Sequence, residues 1–189
     1  MKRLSIFVSG NGTNLQRIAE YFANNPEVEI ANVVCNNPKA YSIERAKKLG
    51  IPLRMITRQD FNSEAFVNEL QSLDIDLIVL AGFLWKVPEA LIKAFPKRIV
   101  NIHPALLPKY GGKGFYGEHV HEAVVAANEP FSGITVHYVN EIYDSGEIIL
   151  QAHVALDEKE TPDSLAAKIH QLEQAYFPVA IDYVLKTQN

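Results

Sequence analysis

The chain has 189 residues and a formal net charge of −4, and 48% of its residues are hydrophobic. That length suits one domain, residues 1–189, with a sizeable core, and no Lys/Arg cluster marks a nucleic-acid face. No apolar run is long enough to span a bilayer, and Met1-Lys2-Arg3 leads into a short strand and Gly-Asn-Gly rather than a signal peptide. The single cysteine, Cys35, has no partner for an internal disulfide, and no Cys/His spacing resembles a zinc site. A metal-free cytoplasmic protein without membrane or nucleic-acid partners is expected.

In the first half, short apolar runs alternate with amphipathic segments. Residues 4–8 read as a buried strand, and Leu15, Ile18, Ala19 and Phe22 mark the inward face of the next helix. Between them, Ser9-Gly10-Asn11-Gly12-Thr13-Asn14 forms a glycine turn. Its backbone N–H groups and the helix N-terminus suit an anion, although a βα turn that binds nothing has the same look. Leu15 stands where a dinucleotide fingerprint has its third glycine, and the next strand, residues 30–35, ends in Asn36-Asn37 with no acid for a ribose. No Gly-Lys-Ser/Thr follows either, so a single phosphomonoester fits the turn best.

A helix over residues 42–49, ended by Gly50, is followed by a short strand over 53–56 and a helix with Phe66, Leu70 and Leu73 inward. Residues 77–81 form an almost purely apolar run, as a parallel strand covered on both faces requires. A short helix near 88–94 leads to a strand over 99–102. This rhythm predicts an α/β fold, a doubly wound, mostly parallel Rossmann-like sheet.

The strand at 99–102 runs into Asn101-Ile102-His103-Pro104-Ala105-Leu106-Leu107-Pro108. Alternation sends Asn101 and His103 to one face, an amide that can donate to an oxyanion beside an imidazole that can move protons. A loop over 104–118 and a helix near 119–127 follow, then a C-terminal β-hairpin of residues 133–139 and 148–156. Thr135 and His137 share one face of its first strand, so both could line the same cavity. Asp144, at the Tyr143-Asp144-Ser145-Gly146 turn, reads either as an Asx-turn residue or as a partner that raises the His103 pKa. Thr161 as N-cap and Pro162 at the first position open a long last helix, with Leu165, Ile169, Leu172, Tyr176 and Val179 as its inward stripe. Glu173 falls near that stripe, where ligand hydroxyls, Lys168, Arg98 or solvent could satisfy it.

Taken together, G-N-G-T-N after the first strand, N-I-H-P-x-L-L-P and the D-S-G turn resemble the folate-dependent phosphoribosylglycinamide formyltransferases, from about residue 4 to residue 185. N-I-H-x-x-L-L-P marks the wider group, which includes methionyl-tRNA formyltransferases and formyltetrahydrofolate hydrolases. The phosphate turn, and the lack of a tRNA-binding or regulatory domain, favour the ribonucleotide enzymes. The resemblance implies 10-formyltetrahydrofolate and 5'-phosphoribosylglycinamide as co-substrates, no metal, and a monomer or homodimer. It implies Asn101, His103 and Asp144 as the catalytic trio, with Thr135 and His137 supporting. Asn11, Gly12, Thr13 and Asn14 would hold the phosphate, with Thr13 where Ser is usual, and Glu173 the ribose hydroxyls. Leu84, Trp85, Lys86, Val87, Asn101, Asn140, Glu141 and Tyr143 would form the folate pocket. Three features depart from the family pattern: Leu84-Trp85 where Met-Arg is common, no arginine between Ser63 and Glu64, and a longer loop over 111–118. Formyl transfer to another amine, such as an amino sugar nucleotide, and a non-catalytic folate- or nucleotide-binding protein are the rival readings.

Overall fold

The computed structural model describes residues 1–188, and its elements follow the hydrophobic periodicity closely. In chain order they are β1 (Lys2–Val8), α1 (Thr13–Phe22), β2 (Val28–Cys35), α2 (Ser42–Lys48), β3 (Leu53–Met55), α3 (Arg58–Phe61), α4 (Glu64–Ser72), β4 (Leu77–Leu80), α5 (Glu89–Ala94), β5 (Ile99–His103), α6 (Glu118–Ala126), β6 (Phe131–Tyr138), β7 (Ile148–Ala155) and α7 (Pro162–Thr187). The strands form one sheet in the order β3-β2-β1-β4-β5-β6-β7. The first five are parallel, β6 pairs antiparallel with β5, and β7 pairs antiparallel with β6. The expected doubly wound sheet with a C-terminal hairpin and a long helix is therefore present. No helix among the described residues is long and apolar enough to cross a membrane.

Strand alternation divides the core in two. Leu4, Ile6, Val8, Val100, Ile102, Ile134 and Val136 belong to the cluster that packs with α1, α6 and α7. Phe7, Val34, Ile78, Leu80 and Ile99 face the other way, toward α3, α4 and α5, where Phe61 and Phe83 meet Phe7 edge-on and Phe66 packs against it at a tilt. All four residues of β4 are buried, which is what a central parallel strand demands. Cys35 is buried on β2, its thiol turned to the Asn37 carbonyl, and acts as packing.

Two details differ from the sequence expectation. The helix read through Phe66 and Leu70 is preceded by a separate short helix, α3, because Thr57 and Asp60 form their own capping box and Ser63 then caps α4. Leu73 is the C-cap of α4 and only partly buried. In α7, Leu165 and Ile169 are buried as expected, but Tyr176 and Val179 are 42% and 44% exposed. Phe177, Ala180, Ile181, Val184 and Leu185 carry the core contact instead. The heptad spacing of the expected stripe fits one straight seam, whereas the buried face of α7 has already moved off it between Ile169 and Phe177, ahead of Pro178.

The start of α7 matches the expectation: the Thr161 hydroxyl accepts from the Ser164 N–H, and Pro162 occupies the first turn. Replacing this exposed cap, Thr161→Ala, is expected to cost about 1 kcal/mol. Urea denaturation should show a lower midpoint at unchanged slope, and an unchanged midpoint would contradict the role of the cap.

Candidate active site

The antiparallel register of β5 and β6 pairs Asn101 with His137 and His103 with Thr135. All four side chains lie on the sheet face opposite Val100, Ile102, Ile134 and Val136. His137 Nδ1 lies 2.9 Å from the Tyr138 carbonyl, to which it donates. Its Nε2 then accepts from the Asn101 amide at 3.1 Å. This fixes the Asn101 side chain by one N–H and leaves the other for a ligand. Thr135 is wholly buried and serves differently from the expectation that it could line the cavity. Its hydroxyl donates to the Ala105 carbonyl and accepts from the Leu107 N–H and the Gln151 amide, which pins the exit loop after β5.

His103 is buried, and its Nε2 donates to the Tyr110 carbonyl at 2.7 Å. Its Nδ1 faces Asp144 Oδ2 at 3.7 Å. Asp144 reaches this place because the connection between β6 and β7 folds back, with Gly146 pressed against the Tyr138 carbonyl where a Cβ would collide. Asp144 itself has a φ of 52°, accepts from the Gly112 N–H at 2.9 Å, and has Oδ1 3.6 Å from His137 Nε2. Burial works to raise its carboxyl pKa, but His137, the Gly112 N–H and His103 outweigh it and hold the group below the usual range. The expected upward shift of His103 is reversed. Burial lowers this imidazole, although Asp144 and the Tyr110 carbonyl both pull it upward.

Around this cluster opens a cavity of about 920 Å³ at the carboxyl ends of β1, β4 and β5. One wall is the turn from Gly10 to Asn14. Gly12 caps α1 with a φ of 78° and lies so close to Ser42 that only glycine fits, and no acidic residue stands in the first turn. The backbone of the turn and Thr13 line the cavity, while Asn11 is held from behind by Arg45, which donates to both its carbonyls at 2.9 Å. Glu173 lines the same side, bound to the Asn14 amide at 3.0 Å and 3.6 Å from His170. Neither Lys168 nor Arg98 satisfies it: Lys168 pairs with Asp157 and Glu160, and Arg98 with the Ala94 and Ile75 carbonyls.

The opposite wall is largely apolar. Leu84, Trp85, Lys86 and Val87 line it after β4, with Asn140, Ile142 and Tyr143 from the hairpin loop. Ser9 accepts the Leu84 N–H at 2.9 Å and so ties this segment to the glycine turn. The Arg58 guanidinium stacks 4.2 Å from the Trp85 ring, and Lys86 lies 5.4 Å from the Tyr143 ring. Glu141 is exposed on the same loop and stands outside the cavity lining.

Two cavity residues escaped sequence reasoning. His121 on α6 is buried with no hydrogen-bond partner for Nδ1, and burial lowers its pKa against the pull of Glu173 and Glu118. His170 is raised, chiefly by Glu173. The available signal was a histidine beside an inward apolar position, after Val120 in α6 and after Ile169 in α7.

Residues 2–181 match the formyl transferase family. The chain is 38% identical over 186 residues to the chloroplastic phosphoribosylglycinamide formyltransferase of Arabidopsis thaliana, covering 94% of this chain and 64% of that protein. It spans 58% of the Vigna unguiculata relative of the same name. It is 34% identical to the phosphoribosylglycinamide formyltransferase of Bacillus subtilis, covering 100% of this chain and 97% of the relative. The crystal structure of phosphoribosylglycinamide formyltransferase from Bacillus halodurans superposes with a TM-score of 0.87 at 34% identity, covering 100% of this chain and 97% of that one.

The histidine shifts have a consequence for stability. A ring whose pKa is lowered in the fold binds its proton more readily in the unfolded chain, so acidification below about pH 6.5 favours unfolding until the folded value is passed. His103 and His121 both have this sign, and His170, raised by Glu173, opposes them as one group against two. Asp144 adds to the loss at lower pH, since its stabilisation exists above the unfolded carboxyl pKa and disappears as the pH falls through its folded value. The thermal midpoint should therefore fall between about pH 7 and about pH 5. His103→Gln should flatten part of that fall, and an unchanged slope would contradict the burial of a neutral ring.

Proposed function

The chain belongs to the formyl transferase family, and from that membership we propose that it transfers the formyl group of 10-formyltetrahydrofolate to the amine of 5'-phosphoribosylglycinamide, as one domain over residues 1–189. The carrying observation is that one cavity joins an acid-free helix N-terminus, the Glu173 carboxylate and the Asn101, His103 and Asp144 cluster. The ribonucleotide phosphate takes the N–H groups and the hydroxyl of the turn around Thr13, and Glu173 accepts from the ribose hydroxyls. The folate ring system lies against Leu84, Trp85, Val87, Ile142 and Tyr143, with Lys86 and Asn140 beside it. Holding both substrates at the carboxyl ends of the strands supplies much of the rate through proximity.

The acceptor amine attacks the formyl carbon. A C–N bond forms, and the carbonyl electron pair moves to oxygen as a tetrahedral oxyanion. Asn101, already held by His137, turns its second N–H to that oxygen, a contribution of a few kcal/mol for a preorganised donor. The amine becomes positively charged on attack and must lose one proton. Because burial keeps His103 neutral at rest, with Nε2–H bound to Tyr110, its Nδ1 is free to take that proton. Asp144, ionised and 3.7 Å away, stabilises the imidazolium that results. When the oxyanion collapses, the bond from the formyl carbon to N10 breaks and N10 receives a proton from the same relay. One proton leaves the amine and one reaches N10, so charge balances without a covalent enzyme intermediate.

The test is absorbance-monitored turnover of a 10-formyl folate with and without the ribonucleotide. Deformylated folate formed only in the presence of the ribonucleotide is expected. Equal product in its absence would mean hydrolysis, and no product would overturn this reading in favour of another amine acceptor or a binding protein. His103→Ala and Asp144→Asn should each slow the chemical step about 10²–10⁴-fold with the fold intact. Thr13→Val should weaken ribonucleotide binding more than folate binding, and equal weakening of both would contradict its place in the phosphate turn.

A further inference from the structure

The buried Pro178 stands inside α7. A proline has no N–H, so the carbonyl four residues earlier, that of Gln174, loses its helical donor. Arg17 supplies the missing bond from α1: its Nε donates to the Gln174 carbonyl at 3.0 Å. The Gln174 side-chain amide donates in turn to Asn14 Oδ1 at 3.1 Å, and the Asn14 amide donates to Glu173 Oε2 at 3.0 Å. Asn14 and Arg17 are three residues apart and so neighbours on one face of α1. One turn of α1 thus grips two successive residues of α7, and the helix it starts from is the one whose N-terminus opens the anion turn.

Helices side by side can slide and rotate by an ångström or more, and a carboxylate carried on one of them would move relative to a turn carried on the other. A phosphate and a ribose diol lie a fixed distance apart on one ligand, so such slack would weaken binding of that ligand alone. Arg17 does not line the cavity, and its other contact, with Glu20, is a loose 4.0 Å surface pair. Its strong hydrogen bond goes to the orphaned carbonyl, beside the residue that carries the carboxylate.

We propose that Arg17 is a positioning residue for the ribonucleotide: by completing the carbonyl that Pro178 frees, it locks α7 to α1 and sets Glu173 at the correct distance from the phosphate turn. The inference rests on reading the cavity as the ribonucleotide site. It predicts a split between the two substrates that a general packing role does not produce.

The experiment measures KM for 5'-phosphoribosylglycinamide and for 10-formyltetrahydrofolate, and kcat, in the full chain and its variants. Arg17→Met, which keeps the apolar stem, should raise the ribonucleotide KM about fivefold to tenfold while the folate KM and kcat stay within about twofold. Arg17→Lys keeps a donor and should recover most of the loss. Pro178→Ala returns an N–H to the Gln174 carbonyl, so in that background Arg17→Met should change the ribonucleotide KM by less than about twofold. Equal rises in both KM values, or no recovery with lysine, would overturn the proposal, and neither depends on Pro178→Ala folding. An Arg17→Met effect undiminished by Pro178→Ala would also overturn it. An unaltered protein with no ribonucleotide-dependent turnover would instead overturn the functional reading, before any substitution is compared.

Discussion

The hydrogen bond from the Asn101 amide to His137 Nε2, made across the β5–β6 pair, is the contact on which the rest of the site depends. It exists because the sheet changes direction there. In a purely parallel sheet the strand after β5 would arrive through a crossover, and its side chains would meet β5 in a slanted register. The antiparallel β6 sets Asn101 directly opposite His137 and His103 directly opposite Thr135. Thr135 then clamps the exit loop, and the loop carries Tyr110, whose carbonyl holds the His103 ring. Asp144 completes the cluster with the Gly112 N–H donating to its carboxylate, which helps hold that buried group ionised.

That arrangement gives each polar group a defined state before any substrate arrives. His103 has one nitrogen committed to a carbonyl and the other facing a carboxylate. Asn101 has one N–H committed and one free. Burial lowers the histidine, so on the proposed mechanism His103 starts as a base rather than as a cation. On that mechanism the carboxylate acts when charge develops, which is when its stabilisation would contribute to rate rather than to ground-state binding.

Much of this was legible in the sequence, for physical reasons that differ between elements. The purely apolar run that became β4 and the alternation at Asn101 and His103 are local patterns, and the structure retains them. Thr161-Pro162 announced the start of α7 through capping chemistry alone. What was not legible depends on distant parts of the chain meeting. The contact of Asp144 with His103 requires the hairpin loop to fold back over the sheet, and no spacing encodes that. The reversal of the His103 shift follows from burial, which depends on every element packed around it. The exposure of Tyr176 and Val179 follows from a shift of the buried face between Ile169 and Phe177, which a heptad pattern does not register. The Trp85 departure likewise acquires a meaning only in three dimensions, where Arg58 from another element stacks on the ring beside the cavity.

The shared hydrogen bond between β5 and β6 can be tested by a double-mutant cycle on the single-turnover rate of formyl transfer, with Asn101→Ala and His137→Phe made separately and together. If His137 acts mainly by holding the Asn101 amide, His137→Phe slows the unaltered protein strongly but changes the rate of Asn101→Ala only slightly. Fully additive losses would contradict the dependence of Asn101, the proposed oxyanion donor, on that cross-strand contact.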